Sequence, residues 1–298
     1  MRITDANMSV LRTRWANESR GNLAEFEHQI GSGRRFTRPS QDPISSATVM
    51  RSEGRLNRMG QFARNTANAR LWTGTADQAL RSASDNLLRA KTLTIQGGNP
   101  AMSAEARSAI AADIRAMGES LRTVANTKVA GRSIFAGTAN VDLAYDATNT
   151  YLGDNGAVRR TIDTNETVQV SISGPSVFGT PNPGDPLNGT AFEAIEAIAV
   201  AVETGDDAAM RAGLEAIDTV SNRIGSATGR IGAASQQLDA ADDRRGSEEL
   251  AVQTNLSKLR DVDVTAAVIG LRTAELSYQA TMQATSRALS QSLLNFIR

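Results

Sequence analysis

The chain of 298 residues contains no cysteine, which excludes a disulfide framework, a thiolate metal site and a cysteine nucleophile. Its single histidine, His28, excludes mechanisms that need two imidazoles, among them the common zinc hydrolase arrangements. Aromatic side chains are scarce, with two tryptophans, three tyrosines and seven phenylalanines. Leu, Ile, Val and Phe together make up 61 residues, about one fifth of the chain and close to the level at which chains stop folding unaided. No run approaches about 18 consecutive apolar residues, so no segment reads as a membrane-spanning helix and no membrane insertion is expected. The opening Met1-Arg2-Ile3-Thr4-Asp5-Ala6-Asn7 lacks the apolar stretch of a cleaved secretory signal. The chain is therefore expected either to stay inside the cell or to leave by a route that cleaves nothing.

Alanine fills part of the gap, with 46 residues, and the 32 basic side chains balance 32 acidic ones. The balance hides a gradient, since residues 1–64 carry 11 basic and 6 acidic side chains and residues 141–219 carry 3 basic and 13 acidic. Neutrality argues against wholesale disorder, and an alanine-rich, aromatic-poor composition fits thin helix-on-helix packing better than a thick core. Proline is missing from 44–99 and from 187–298, whereas four of the seven prolines and eight glycines fall between 131 and 190. Helix breakers thus gather in the middle, leaving both flanks free to form long helices.

In the first flank Met8, Leu11 and Trp15, followed by Leu23, Phe26 and Ile30, fall roughly on one helix face, with Thr4 or Asp5 as cap. Gly31-Ser32-Gly33 ends that helix, and Arg34 to Pro43 reads as an ordered turn in which Ser40 or Asp42 caps the next helix. That helix runs to about Gln96 with Leu80, Ala83, Leu87 and Ala90 on a narrow stripe, and Ser103 caps a third. In the centre the period changes: Val168 to Ser173 alternates, and Asn155-Gly156 between β-prone runs predicts a hairpin turn. Asp206-Asp207 cap a long helix in the second flank, where Gly225, Gly229 and Gly232 predict close approach by another helix. From Val264 onward a 4,3 spacing selects Val264, Val268, Leu271, Tyr278, Met282, Leu289 and Phe296, a coiled-coil-like seam broken by Glu275, Thr285 and Ser292. One helix over residues 250–298 would be roughly 70 Å long, too long to cover its own seam without a partner.

The expected fold is mainly α with a β-rich insert: a long antiparallel helical rod with both termini together, capped by a small β-containing knob. The expected segments are 1–42, an assembly helix with its ordered turn; 43–130 and 191–249, the helical rod; 131–190, the insert with a Pro/Gly loop; and 250–298, a C-terminal assembly helix. Met8, Leu11, Trp15, Leu271, Tyr278, Met282, Leu289, Leu293 and Phe296 are the candidate subunit-assembly residues. Gly33, Arg34, Arg35, Pro39, Asp42 and Pro43 are the candidate ordered turn.

Several blocks resemble the flagellin superfamily: Ile30 to Phe36 followed by Pro39-Ser40-Gln41-Asp42-Pro43, then Arg230-Ile231-Gly232-Ala233, and Asp261 to Ala267. Pro-Ser-Gln-Asp-Pro, Gly131 to Thr138 and the ending Ser292 to Ile297 resemble the hook-associated type 3 branch more than filament flagellins. That resemblance implies an extracellular structural subunit at the junction of flagellar hook and filament, exported unfolded without signal cleavage. It also implies self-association into a ring or helical oligomer and contacts to the first hook-associated protein and to flagellin. In the cytoplasm it implies an export chaperone on the C-terminal helix around Leu271 to Phe296. From their marginal apolar seams, both termini are expected to be largely disordered in the monomer.

Other readings are weaker. Arg34, Arg35 and Arg38 lack the interleaved aromatics of a nucleic-acid surface and are expected to pair with the acidic middle or with a neighbouring subunit. Asp142, Asp146 and Asp154 lack the ligand spacing of a calcium loop, and Asp261 and Asp263 are expected to point to different sides of a helix. No catalytic, metal or cofactor site is legible, so an enzyme is not expected. The alternatives are a filament flagellin subunit and, in a different class, a cytoplasmic helical-bundle signalling or scaffold protein, against which the β insert counts.

Overall fold

The computed structural model describes the backbone of residues 2–296 and the side chains of residues 10–287. Among the candidate assembly residues, the side chains of Met8, Leu289, Leu293 and Phe296 therefore lie outside the described ones. Among the described residues seven α-helices and two small antiparallel strand pairs follow in the order α1 (Arg2–Ser32), α2 (Pro43–Gly97), α3 (Ala104–Ala125), β1 (Lys128–Val129), β2 (Arg132–Ser133), β3 (Arg159–Asp163), β4 (Glu166–Gln169), α4 (Gly174–Phe178), α5 (Ala191–Thr204), α6 (Asp207–Arg260) and α7 (Val264–Phe296), with one 3-10 turn at Pro186–Asn188 before α5. The fold is mainly α with a β-containing insert, as the proline and glycine distribution dictates. The described chain separates into two compact units, Met1–Arg58 with Ser247–Arg298 and Met59–Gly246, whose boundaries fall inside α2 and α6.

The second unit holds the hydrophobic core. Leu80, Ala83, Leu87 and Ala90 on α2, Ile110, Ile114 and Leu121 on α3, and Ile217, Val220 and Ile224 on α6 are buried together. α2 and α6 run antiparallel here, since Arg70 pairs with Asp239 and Asp242 while Lys91 pairs with Asp218. α5 sinks into this layer because glycines make room for it. A Cβ at Gly97 would come within 2.6 Å of Val202, one at Gly118 within 3.3 Å of Ile195, and one at Gly213 would collide with Ile198. The glycines expected to admit a helix, Gly225, Gly229 and Gly232, instead face open space. At the ends of α5, Thr190 and Glu193 form a capping box and Gly205 takes the left-handed conformation at φ 73°.

Phe135, Tyr145, Tyr151 and Phe178 of the insert and Phe192 of α5 form one cluster with ring centroids 5.0–5.9 Å apart, three of the contacts edge-on. Concentrating aromatics in one place lets a small, strand-poor segment bury a core, each ring pair adding about 0.5–1.5 kcal/mol beyond its buried area. The hairpin lies elsewhere than expected. β3 and β4 turn over Thr164-Asn165, with Asp163 opposite Glu166. Asn155-Gly156 closes a local loop instead, where the Asp154 carboxylate accepts hydrogen bonds from the Thr138 N–H, the Thr138 hydroxyl and the Gly156 N–H. The hairpin is fastened to α2: Arg160 donates to Asn68 at 2.9 Å and lies 5.8 Å from the Trp72 ring, and Asn65 donates to the Thr161 carbonyl at 2.8 Å.

Two more expectations are corrected at the flanks. Thr4 and Asp5 lie inside α1, which already includes Arg2, so neither caps it. Residues 250–298 are not one helix, because the chain leaves helical geometry at Asp261–Asp263 between α6 and α7. Asp263 accepts from the N–H groups of Thr265 and Ala266, which starts α7 afresh.

Candidate assembly interface

In the first unit α1 and α7 pack as an antiparallel pair, since Phe26 lies against Gly270 and Ser19 against Thr281. On α1 the partly covered positions are Arg12, Ala16, Ser19, Leu23, Phe26, Gln29 and Ile30; on α7 Ala267 and Ala274 are buried and Gly270, Leu271, Tyr278, Thr281 and Thr285 are partly covered. Apart from Gln29 and Gly270, both sets step by four and three, the spacing that keeps two helices in contact along their length. Leu11 and Trp15 fall beside this stripe and not on it. The step of eight residues from Trp15 to Leu23 turns the apolar face by about 80° at 100° per residue.

The pair is graded along its length. Near the turn that joins the two helices to the rest of the unit, Phe26 lies against Gly270, and Leu23, Ile30, Ala267 and Leu271 are covered on the same stretch of the pair. Gly270 is required there, because a Cβ would stand 2.5 Å from the Phe26 ring. Toward the chain ends Arg12, Ala16 and Ser19 face Thr281 and Thr285, and an open groove of about 540 Å³ runs beside Arg12, Trp15 and Thr285. Along the outside of the pair apolar side chains stay uncovered: Leu11, Trp15, Val268, Ile269, Leu276 and Met282 are exposed, Trp15 at 53%. Of the candidate assembly residues with described side chains, Leu11, Trp15 and Met282 are thus exposed, while Leu271 and Tyr278 are half-buried within the pair.

The turn after α1 is tied to the break between α6 and α7. Gly33, at φ 67°, accepts the Val262 N–H at 3.0 Å, Arg34 and Asp261 form an antiparallel bridge, and the Arg35 N–H donates to the Arg260 carbonyl at 2.7 Å. The Arg35 guanidinium donates to Asp42 at 2.9 Å and to Ser45 at 3.1 Å and lies 5.8 Å from the Phe36 ring. Pro39 lies in the bend, whose inside is held by Gln41 accepting from the N–H groups of Thr37 and Arg38. Asp42 caps α2 through the Ser45 N–H, and Pro43 is its first residue. Hydrogen bonds from Ser45, with Arg35 behind them, hold the Asp42 carboxyl below its ordinary pKa. Asp261 is lowered as well, first by the Ser257 hydroxyl and then by Arg260.

Arg35 therefore pairs inside its own turn and not with the acidic middle of the chain. Asp261 and Asp263 sit in the helix break and not on opposite sides of a helix. Reading the sequence missed Ser257, Arg260 and Glu53 as members of this site; Arg260 also pairs with Glu53 at 3.7 Å. The Asp-x-Asp before an apolar helical run was the available signal, since it is a start-of-helix pattern. Among the described residues no group of three or more His, Cys, Asp or Glu could hold a metal, and no helix is long and apolar enough to cross a membrane.

The chain is thus of the class of helical proteins whose first and last helices pair with each other and are fastened at one turn, here with a few apolar side chains exposed on the outside. Comparison with known proteins makes this specific. The bacterial flagellin N-terminal helical region matches residues 4–140 and the bacterial flagellin C-terminal helical region matches residues 214–297. The chain belongs to the flagellin family. It is 27% identical over 184 residues to the flagellar hook-associated protein 3 of Salmonella typhimurium, covering 60% of this chain and 57% of that protein. The match thus spans little more than half the length of that relative. Its fold is similar to crystal structures of FlgL from Bacillus cereus (TM-score 0.61, 20% identity, 70% of this chain and 99% of that one) and of the flagellar junction protein FlgL from Legionella pneumophila (TM-score 0.59, 17% identity, 72% and 99%).

Proposed function

We propose that this chain is a structural subunit of the bacterial flagellum at the junction of hook and filament, joining the first hook-associated protein to flagellin. The observation that carries the reading is the α1–α7 pair, which meets through small and polar side chains toward the chain ends while Leu11, Trp15 and Met282 stay uncovered. Exposed apolar side chains grouped on terminal helices mark a surface for other subunits. The similarity to hook-associated protein 3 supports the junction over the filament. On this reading copies of the chain associate into a ring or helical array through the terminal helices. The chain leaves the cell unfolded through the flagellar export channel, and before export a cytoplasmic chaperone covers α7. No catalytic role is part of the proposal.

The test is location and dependence. Immunogold labelling of sheared flagella is expected at the base of the filament; label along its whole length would identify a filament subunit and overturn the reading. In cells lacking the native protein, a chain ending at residue 263 is expected to leave hooks without filaments, and restored filaments would show that α7 is not the assembly element.

A further inference from the structure

On the side away from its core, α2 carries a second regular pattern. From Leu71 to Ile95, alternating steps of three and four residues pick out positions that are all exposed. Leu71, Leu88 and Ile95 are 55%, 65% and 60% exposed. The centre of the stripe is Arg81 and Asp85. Gly74 lies on it with nothing within 4 Å of where a Cβ would stand, and an open depression of about 530 Å³ runs beside Asp85, Leu88 and Thr92. A heptad-spaced stripe with large apolar members is the pattern of a helix that expects another helix, and among the described residues nothing covers it.

The charges identify the occupant. Arg81 pairs with Asp77 at 2.8 Å on its own helix, but Asp85 has no ion-pair partner among the described residues, although Arg81 and Arg89 each stand four positions away. Alternating steps of three and four read the same in both directions. A second α2 laid antiparallel about a two-fold axis near position 83 therefore sets Leu71 against Ile95, Gly74 against Thr92, Gln78 against Leu88 and Arg81 against Asp85. Each large apolar end meets its counterpart, and the two central charges meet their opposites twice. A parallel pairing in register would instead set Arg81 on Arg81 and Asp85 on Asp85. Polar residues inside such a seam weaken it but fix its register and direction.

We propose that two copies of this chain associate in solution as an antiparallel, two-fold dimer through this face of α2. The contact is closed by its symmetry, so it differs from the same-direction packing of a ring or filament and is open only to subunits outside such an array.

The absence of cysteine makes the test clean. Leu71 and Ile95 are about 36 Å apart along one helix at 1.5 Å per residue. Leu71→Cys and Ile95→Cys proteins, each checked for unchanged helicity, are expected to form disulfide-linked dimers under mild oxidation when mixed, and neither is expected to do so alone. In sedimentation equilibrium the unmodified chain is expected to dimerise, and Arg81→Asp or Asp85→Arg to weaken this about tenfold or more, because like charges then face each other. An equimolar mixture of those two charge variants is expected to regain dimerisation, since every charge then meets its opposite. Cross-linking by Leu71→Cys alone, an unmodified chain that stays monomeric at all concentrations, or charge variants that remain monomeric when mixed would each overturn the proposal.

Discussion

Tyr145 has no exposed surface, and its hydroxyl has no hydrogen-bond partner in the aromatic cluster of the insert. A buried polar group left unpaired costs about 1–3 kcal/mol, so Tyr145→Phe is expected to raise stability by about 1 kcal/mol in urea unfolding; a loss of that size would show that the hydroxyl is paired. Burial raises the Tyr145 pKa far above its ordinary value of 10 and pushes Tyr151 up to about 12. The folded state therefore holds both protons more tightly than the unfolded state does. That stability is complete below pH 10 and is lost as pH rises toward the folded values. Absorbance at 295 nm is expected to show these two tyrosines ionising together with unfolding and not before it. Glycine gives a second contrast at this scale. Gly213→Ala is expected to cost about 1–3 kcal/mol by driving a methyl group into Ile198, whereas Gly225→Ala, in open space on the same helix, is expected to gain up to about 1 kcal/mol. Sequence spacing pointed to Gly225, Gly229 and Gly232 because they recur on one helix face. Which glycines face another helix depends on where α5 lies, and no local pattern in α6 records that.

Among the elements, the helices were legible and their ends less so. Ser103, Asp206 and Asp42 cap helices as their residue types and positions lead one to expect. The break at Asp261–Asp263 went unread because apolar spacing continues across it, and the backbone bridge between Arg34 and Asp261 that accompanies it joins residues far apart in sequence. Asn155-Gly156 misled for a related reason. Its turn preference is real, but Thr138 captures the neighbouring Asp154, and the strands pair around Thr164-Asn165. The Arg34–Asp261 turn should respond to acid. The pKa values of Asp42 and Asp261 are lowered from the ordinary 3.8, so the stability they confer is complete above that value and is lost as pH falls through the lowered ones. Amide exchange at Arg35 and Val262, scaled for the intrinsic pH dependence, is expected to accelerate below about pH 4; equal protection at pH 3 and pH 6 would count against it. The α1–α7 pair should also exchange in two stages at neutral pH. Ala16 and Ser19, against small and polar neighbours, are expected to exchange well before Phe26 and Ile30, because fewer apolar contacts resist local opening there.

For the molecule as a whole, the continuous hydrophobic core runs from Ala69 to Ala241 and lies entirely within the second unit. A chain ending at residue 263 loses α7, and with it the partner of α1, but none of that core. Its main thermal transition is expected to stay within a few degrees of the full chain's while its helicity falls; a collapse of that transition would show that the two units stabilise each other. By itself the sequence determined the class of fold, because alanine-rich helical periodicity and the confinement of proline and glycine to the middle act over neighbouring residues. It also determined the family, because the blocks around Pro39–Pro43 and Asp261–Ala267 keep residue types whose roles are local: caps, a turn and a helix start. Only the tertiary structure decided which apolar side chains are covered. Leu23 and Leu271 share a face with a partner, while Leu11, Trp15, Leu71 and Leu88 do not. A sequence pattern fixes the angle of a side chain about its own helix but not which angle another helix will occupy.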